Sequence, residues 1–323
     1  MNISREKLQA EAAATGFRPE VLEKVAILLG ILNGIQAHPY LEGKLALKGG
    51  TALNLFIFDV PRLSVDIDLN YIGEAERDRM KTERPNVEKA LQAVFAREGL
   101  TVRHTPTEHA GGKWLLRYAS AITGSGNLEV DLNYMFRVPL FPAQPRDSRR
   151  IGGWQALNFP VLDVHELVAG KLAALLARSQ ARDLFDTAQL LHLGAISPPM
   201  LRMTFIVYGA SNRKDWRMVT ADGLQVDPGE LGRLLLPVLR SDHQGLQTNP
   251  LEYGRQLVDD CRKLLSLVLP LTENESGFLD GILDDGIIDA ALLTDDPVLQ
   301  RRIQQQPLLA WKASNVLRMK DKH

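Results

Sequence analysis

Apolar and polar residues follow two different spacings along the chain. Residues 63–71 alternate apolar and polar side chains with a period of two, which predicts a strand. The same alternation recurs over residues 114–122 and 127–136, with a glycine-containing turn segment between them. From Asp163 onward, apolar residues recur every three or four positions, which predicts helices. We therefore predict an α+β protein that is rich in strands early and helical late.

A change of pattern near residue 160 predicts where the domains divide. The segment 138–160 is rich in proline and lacks regular spacing, and domain boundaries fall in such segments. We predict a mixed sheet flanked by helices over residues 1–160 and a helical domain over residues 161–323. Two long helices are expected in the first part, over residues 20–37 and 75–98.

Composition and charge narrow the classes of function. The 323 residues include 38 Lys and Arg against 39 Asp and Glu, so the whole protein is not a polycation and RNA binding would need local patches. The single Cys261 excludes an intramolecular disulfide and a thiolate zinc cluster, and it fits a reducing compartment. The sequence contains no apolar run long enough for a membrane helix, and charged residues near the start argue against a signal peptide. We expect a cytoplasmic protein without membrane contact.

Two aspartates on the first predicted strand are the strongest candidates for chemistry. Asp66 and Asp68 lie two residues apart, so their side chains share one face, roughly 7 Å apart along the backbone. Adjacent carboxylates repel each other, and a divalent cation between them removes the repulsion. Mg²⁺ uses one or two carboxylates together with substrate phosphates. Asp131, on the strand that also carries Glu129, is our choice for a third carboxylate. The alternative is an ordinary solvated strand face.

A glycine pair precedes this strand. Gly49, Gly50 and Thr51 lie where a strand is expected to lead into a short helix. Glycines let backbone N–H groups approach a phosphate, and Thr51 can cap the helix or bond a phosphate oxygen. The segment does not match the P-loop pattern. The alternative is an ordinary tight turn.

A charged set lies on the first helix of the second part. Asp163 and Glu166 have the spacing of a capping box, and Lys171 follows on a largely apolar face. Such a lysine could point into a pocket and contact a triphosphate, or it could snorkel at the edge of the core. Asp186 follows Arg182 by four residues, so the two could also form a surface ion pair.

Four segments together resemble the AbiEii/AbiGii nucleotidyltransferase toxin family, which belongs to the DNA polymerase β-like nucleotidyltransferases. They are KGGTAL at 48–53, RLSVDIDL at 62–69, HELVAGKLAA at 165–174 and RDLFD at 182–186. The resemblance implies a nucleotidyltransferase fold over residues 1–160, with the helical part contributing Lys171 and Asp186 to the active site. The last 120 or so residues contain no motif that resembles this family.

The resemblance implies a bacterial toxin of a toxin–antitoxin or phage-defence pair that uses an NTP and Mg²⁺ or Mn²⁺. Some members add nucleotides to the 3′ end of tRNA and so block translation, and a cognate antitoxin is the expected partner. The implied assignments, by position in this chain, are metal binding by Asp66, Asp68 and Asp131, nucleotide binding by Gly49, Gly50, Thr51, Ser64, Lys171 and Arg182, and an essential acid at Asp186. Asp131, or a metal-bound hydroxyl, would accept the proton of the attacking 3′-hydroxyl.

One departure from the family and several alternatives stay open. The family usually has a lysine near the third carboxylate, and the Glu129–Asp131 segment has none. Transfer to a protein hydroxyl or a small molecule, or a non-catalytic role in binding NTP or a partner, would also fit the residues. Candidate RNA-binding cations form two groups, Arg146, Arg149 and Arg150, and Lys312, Arg318, Lys320 and Lys322.

Overall fold

A computed structural model gives the structure of residues 3–108, 110–194 and 196–320. The strands of this part of the chain are β1 (Leu45–Lys48), β2 (Asp66–Tyr71), β3 (Thr101–His104), β4 (Gly111–Ser120), β5 (Gly124–Asn133), β6 (Gln144–Arg146) and β7 (Phe159–Val161). The α-helices are α1 (Arg5–Thr15), α2 (Pro19–Gln36), α3 (Gly49–Ala52), α4 (Arg77–Arg97), α5 (Val164–Arg178), α6 (Ala181–Leu190), α7 (Pro198–Ala210), α8 (Pro228–Glu230), α9 (Pro250–Leu265), α10 (Glu273–Asp280), α11 (Pro297–Gln304) and α12 (Pro307–Lys320).

The strands form one mixed sheet in the order β3-β4-β5-β2-β1-β7-β6. β2 runs parallel to β5 and antiparallel to β1, while β4 and β5 form a long antiparallel pair. The strands predicted over residues 114–122 and 127–136 correspond to β4 and β5, and the aspartate strand corresponds to β2. The predicted α+β class with a mixed sheet is therefore confirmed.

The sheet has one apolar and one polar face because its central strands alternate. Ile67, Trp114 and Val130 are fully buried on the apolar face. Helices α2 and α4 pack on this sheet, and the ring of Phe95 in α4 lies 5.7 Å from the ring of Trp114. Polar and charged side chains of the same strands consequently point to the opposite face.

The chain divides into two compact units, and each contains a segment from elsewhere in the sequence. The first unit comprises residues 1–137, 143–162 and 236–248, and it holds the whole sheet. The second comprises residues 138–142, 163–235 and 249–323, and it is helical. The sequence predicted a single division near residue 160, and it did not predict either exchanged segment.

Side chains of the helical unit hold the segment 138–142 by its backbone. Glu166 on α5 accepts hydrogen bonds from the backbone N–H groups of Leu140 and Phe141, at 3.1 and 3.2 Å. Arg302 donates to the carbonyl of Leu140 at 2.9 Å, and Gln306 donates to that of Val138. Asp163 caps α5 as expected, but Glu166 serves this segment instead of completing the predicted capping box.

Among the described residues, no helix combines the length and apolar character needed to cross a membrane.

Candidate functional site

The register of the sheet places four acidic residues side by side on its polar face. Asp68 on β2 lies directly opposite Asp131 on β5, and Asp66 lies opposite Glu129. Neighbouring strands are about 4.8 Å apart, so each pair is adjacent across the sheet. All four side chains are half-buried. We call Asp66, Asp68, Glu129 and Asp131 the carboxylate face.

A lysine flanks this face on each side. Lys48 on β1 lies opposite Asp68, and Lys113 on β4 lies opposite Asp131. Lys48, Asp68, Asp131 and Lys113 thus form one row across four adjacent strands, with the positive charges at its ends. The Nζ of Lys113 is 2.7 Å from a carboxylate oxygen of Glu129. This hydrogen bond, together with the charges of Asp66 and Asp131, raises the pKa of Lys113 despite its partial burial.

Gly49 packs directly against Asp68. Its φ of +71° lies in the left-handed region that favours glycine, and a Cβ at this position would lie only 2.2 Å from an Asp68 carboxylate oxygen. Any side chain would therefore displace the carboxylate. The predicted glycine turn has a specific structural reason, since it makes room for a member of the carboxylate face.

Thr51 and Ser64, two of the predicted nucleotide-binding residues, are buried beside this face. Thr51 is fully buried, and its hydroxyl donates a hydrogen bond to the backbone carbonyl of Asp66. This contact gives Thr51 a positioning role, because it ties α3 to the start of β2. Ser64 is 5% exposed, and Gly50 is half-buried. Phosphate binding by these residues stays a prediction.

The segment before β2 is fixed by a distant part of the chain. The backbone N–H of Leu63 donates to the carbonyl of Val238 at 2.9 Å, and Arg62 forms an isolated β-bridge with Leu239. Arg62 is 2% exposed, and its guanidinium donates to the carbonyl of Leu63. The 236–248 segment therefore supports the aspartate strand, and no local pattern could have shown this.

The helical unit contains a second group of acidic residues, which surrounds Lys171. The Nζ of Lys171 lies 3.0 Å from a carboxylate oxygen of Asp183 and 2.9 Å from one of Asp186. Arg178 also pairs with Asp183, at 2.8 Å. Lys171 and the two aspartates that it contacts are buried: Lys171 is 8%, Asp183 2% and Asp186 0% exposed. We call Lys171, Arg178, Asp183 and Asp186 the helical ion-pair cluster.

The turn between α5 and α6 creates this cluster. Helix α5 ends at Arg178, and Ser179 adopts a left-handed conformation with φ of 49°. Burial raises the pKa of Asp183, but Lys171 and Arg178 outweigh burial and leave that pKa below its ordinary value. Arg182 is half-buried in the first turn of α6.

Comparison with known proteins gives the family. The pattern of the nucleotidyltransferase AbiEii toxins of type IV toxin–antitoxin systems matches residues 31–259, which include the sheet strands β1 to β7 and helices α3 to α8. The chain belongs to the AbiEii nucleotidyltransferase toxin family. The family resemblance deduced from the four sequence segments is therefore confirmed. The match covers both the carboxylate face and the helical ion-pair cluster.

One of the similar solved structures supports the fold. MenT4, a nucleotidyltransferase toxin from Mycobacterium tuberculosis, is 19% identical, with a TM-score of 0.59 over 96% of this chain and 99% of that one. A complex of CdnC with HORMA-deltaN from Escherichia coli MS115-1 is 14% identical over 96% of this chain and 98% of that one, with a TM-score of only 0.22. No curated protein matches the chain.

Family membership makes this AbiEii protein a nucleotidyltransferase toxin, for which an NTP substrate and an antitoxin partner are implied. The predicted site residues fall in both compact units. Asp66, Asp68 and Asp131 belong to the first, and Lys171 and Asp186 belong to the second. Their convergence on one active site stays a prediction.

The carboxylate face has the chemistry of a divalent-cation site, although it is not a complete metal cage. Among the described residues, no three His, Cys, Asp or Glu side chains are placed to hold a metal ion by themselves. Mg²⁺ in nucleotide sites takes only one or two carboxylates and completes its shell with phosphates and water. Asp66 and Asp68, which lie on one face of β2 as predicted, fit that requirement.

Of the two basic groups predicted to bind RNA, several members already have protein partners. Arg149 donates to the carbonyl of Phe58 at 3.0 Å. Lys320 pairs with Asp285 at 2.8 Å, and Lys322 lies outside the described residues. Sequence reasoning missed Lys113, because its role depends on which strand lies beside β5.

Proposed function

We propose that this AbiEii toxin transfers a nucleotide from an NTP to the 3′-hydroxyl of an RNA acceptor, with the tRNA 3′ end as its target and a block of translation as the result. The observation that carries the proposal is the carboxylate face, with Gly49 packed against it, in a chain of a nucleotidyltransferase toxin family. The proposed setting is the cytoplasm, where a cognate antitoxin would restrain the toxin.

In the proposed reaction, the residues of the carboxylate face and the glycine turn beside it have different roles. The acceptor hydroxyl oxygen forms a bond to the α-phosphorus, and the bond from that phosphorus to the oxygen shared with the β-phosphate breaks. Pyrophosphate leaves, and the hydroxyl proton passes to the carboxylate of Asp131. Gly49 and Gly50 offer a backbone without side chains on the β1 side, where the triphosphate would lie.

Asp66 and Asp68 would hold the divalent cation, Mg²⁺ or Mn²⁺. The chemistry that this cation supplies when bound is neutralisation of the negative charge that develops at the α-phosphate. Thr51 holds Asp66 in position, because the hydroxyl of Thr51 donates a hydrogen bond to the backbone carbonyl of Asp66.

Lys171, Arg182 and Asp186 enter the proposal through their match to the later family motif. The ammonium of Lys171 already contacts Asp183 and Asp186. To bind the triphosphate, it would have to contact a phosphate oxygen in addition to these two carboxylates. The helical ion-pair cluster supports a second reading, in which Lys171 and Asp186 stabilise the helical unit. Stability measurements on Lys171 variants distinguish the two.

A labelling experiment tests the proposal. The wild-type protein is incubated with total RNA, Mg²⁺ and each α-labelled NTP in turn, and we expect label on RNA of tRNA size. Asp66→Asn should reduce labelling by about 1,000-fold or more, since several kcal/mol of transition-state stabilisation would be lost. Asp59→Asn is the matched control, because Asp59 is fully exposed and should leave labelling unchanged.

The thermal unfolding of Asp66→Asn should match that of wild type, because a half-buried carboxylate next to Glu129 is removed without loss of volume. Full labelling by Asp66→Asn would contradict the assignment of the site. Label that appears only on protein or on a small alcohol would reject RNA as the acceptor.

A further inference from the structure

The polar face of the sheet continues beyond Asp131 onto the outer strands β4 and β3. Lys113, Leu115 and Arg117 alternate along β4 on this face, because the intervening side chains are buried on the other side. Lys113 and Arg117 are exposed. Arg117 lies between Thr101 on β3 and Asn127 on β5, both of them polar and uncharged. The surface next to the carboxylate face is therefore open and positively charged.

The order of the strands gives this surface a direction. Gly49 and the glycine turn lie on the β1 side of β2, whereas Asp131 lies on the β5 side. The proposed reaction puts the triphosphate at the glycine turn and the attacking hydroxyl at Asp131. Strand β4 is the next neighbour of β5 on that same side, so an acceptor that presents its 3′ end to Asp131 extends over β4.

The charges on β4 suit a polyanionic acceptor. The ammonium of Lys113 forms an ion pair with Glu129, and this contact keeps the ammonium beside the other carboxylates of the face. Arg117, by contrast, has no ion-pair partner anywhere in the part of the chain that the structure describes. The two cations lie four residues apart on one strand, about 13 Å, which is a spacing that a short single-stranded segment can follow. A small alcohol or a single serine side chain would not reach both.

We propose that Lys113 and Arg117, on the open face of β4, bind the sugar–phosphate backbone of the acceptor RNA next to its reacting 3′ end. This inference rests on the proposed function and names the surface that selects a nucleic-acid acceptor. Lys113 contacts the terminal nucleotides, and Arg117 contacts the backbone farther from the end. Phosphate contacts of this kind position the acceptor without reading its bases.

Arg117→Glu tests the surface, with Arg117→Lys as the conservative variant. Binding of 5′-fluorescein total tRNA is measured by anisotropy over a range of salt concentrations. Arg117→Glu should weaken binding by about tenfold and reduce the slope of log affinity against log salt by about one. Arg117→Lys should stay near wild type. Lys89→Glu is the matched charge control, because Lys89 is exposed on α4, the helix layer behind the sheet.

The variants are also assayed for transfer and for NTP binding by calorimetry. The inference expects Arg117→Glu to raise the KM for tRNA by about tenfold and to leave the affinity for NTP unchanged. Equal effects of Arg117→Glu and Lys89→Glu on tRNA binding would overturn it, as would failure of the wild type to bind tRNA. If the wild type binds tRNA through Arg117 but transfers no nucleotide to it, the proposed function fails while the binding surface stands.

Discussion

The carboxylate face and the helical ion-pair cluster both contain aspartates, but in opposite settings. Asp66, Asp68 and Asp131 are half-buried on an open sheet. Asp183 and Asp186 are at most 2% exposed, and both contact the ammonium of Lys171. Carboxylates that bind a cation or substrate must remain accessible, whereas buried carboxylates require a fixed partner. Asp66 and Asp68 in the first region, and Lys171, Asp183 and Asp186 in the second, all lie in the family segments, so the setting distinguishes what each group can do.

Removing the charge of Lys171 should produce the largest effect on stability. Lys171→Met would remove the ammonium that contacts two carboxylates buried in the interior, Asp183 and Asp186, which is expected to lower the free energy of unfolding by about 3–5 kcal/mol. The measurement is urea denaturation followed by circular dichroism. Lys113→Met is the matched control: the side chains of Lys113 and Glu129 are 64% and 44% exposed, so we expect a loss below about 1 kcal/mol.

Asp186→Asn provides a milder test, because Asp183 remains beside Lys171. It should lose less stability than Lys171→Met while keeping the protein folded for assay. A stable Lys171→Met protein without transferase activity would break the comparison, since it would assign Lys171 to the reaction and not to the support of the helices.

The second comparison is between two glycines with the same backbone conformation. Gly49 and Gly43 both have φ of +71°, but a Cβ at Gly49 would collide with Asp68, and a Cβ at Gly43 would meet nothing within 4 Å. Gly43→Ala therefore measures backbone strain alone. Gly49→Ala should add displacement of the Asp68 carboxylate and reduce transfer by about 100-fold, the effect of a misplacement near 1 Å.

The measurements are initial rates of transfer and thermal unfolding for both variants. Both proteins should lose the stability that a left-handed alanine costs, and Gly49→Ala should lose more because the Asp68 side chain must also move. Equal transfer rates would show that the position of Asp68 is not critical, and the carboxylate face would then lose its strongest structural support.

Local patterns in the sequence were sufficient to predict the strands that carry the site. Alternation identified β2, β4 and β5, and the spacing of Asp66 and Asp68 put both on the polar face. Glu129 and Asp131 share that face of β5, because burial on one side of a strand forces polar residues to the other. These conclusions required only the alternation of apolar and polar residues along each strand, and no knowledge of contacts between distant parts of the chain.

The sequence did not predict which residues lie next to one another on neighbouring strands. The pairing of Asp68 with Asp131 depends on a parallel register between β2 and β5, and the place of Lys113 depends on β4 lying next to β5. Nothing local predicted that Val238 would hold the segment before β2. The contacts of Lys171 with Asp183 and Asp186 likewise depend on the turn at Ser179, and no local pattern gives the direction in which that turn sends the next helix.

Glu166 sharpens the comparison from within a single helix. It lies on α5 like Lys171, but it accepts hydrogen bonds from two backbone N–H groups and from the hydroxyl of Tyr208, at 3.1 Å, with Asp163 nearby. Burial outweighs these bonds and raises the pKa of Glu166 to about 7. Asp183, buried to a similar extent beside Lys171, has a lowered pKa. The presence of a cation therefore decides the direction of the shift for a buried carboxyl group.

The sign of the pH effect follows from this shift. A carboxyl group whose pKa is higher in the folded state binds protons there first, so its contribution to stability is complete below about pH 4.5 and is lost as the pH rises through 7. Between pH 5 and 8 the free energy of unfolding of the wild type should fall by about 2 kcal/mol more than that of Glu166→Gln. Urea denaturation at both pH values measures this difference. Glu42→Gln, a neutralising change at an exposed site, is the matched control and should behave like wild type. If Glu166→Gln and wild type show the same pH dependence, burial at this site does not control the proton, and the contrast with Asp183 is lost.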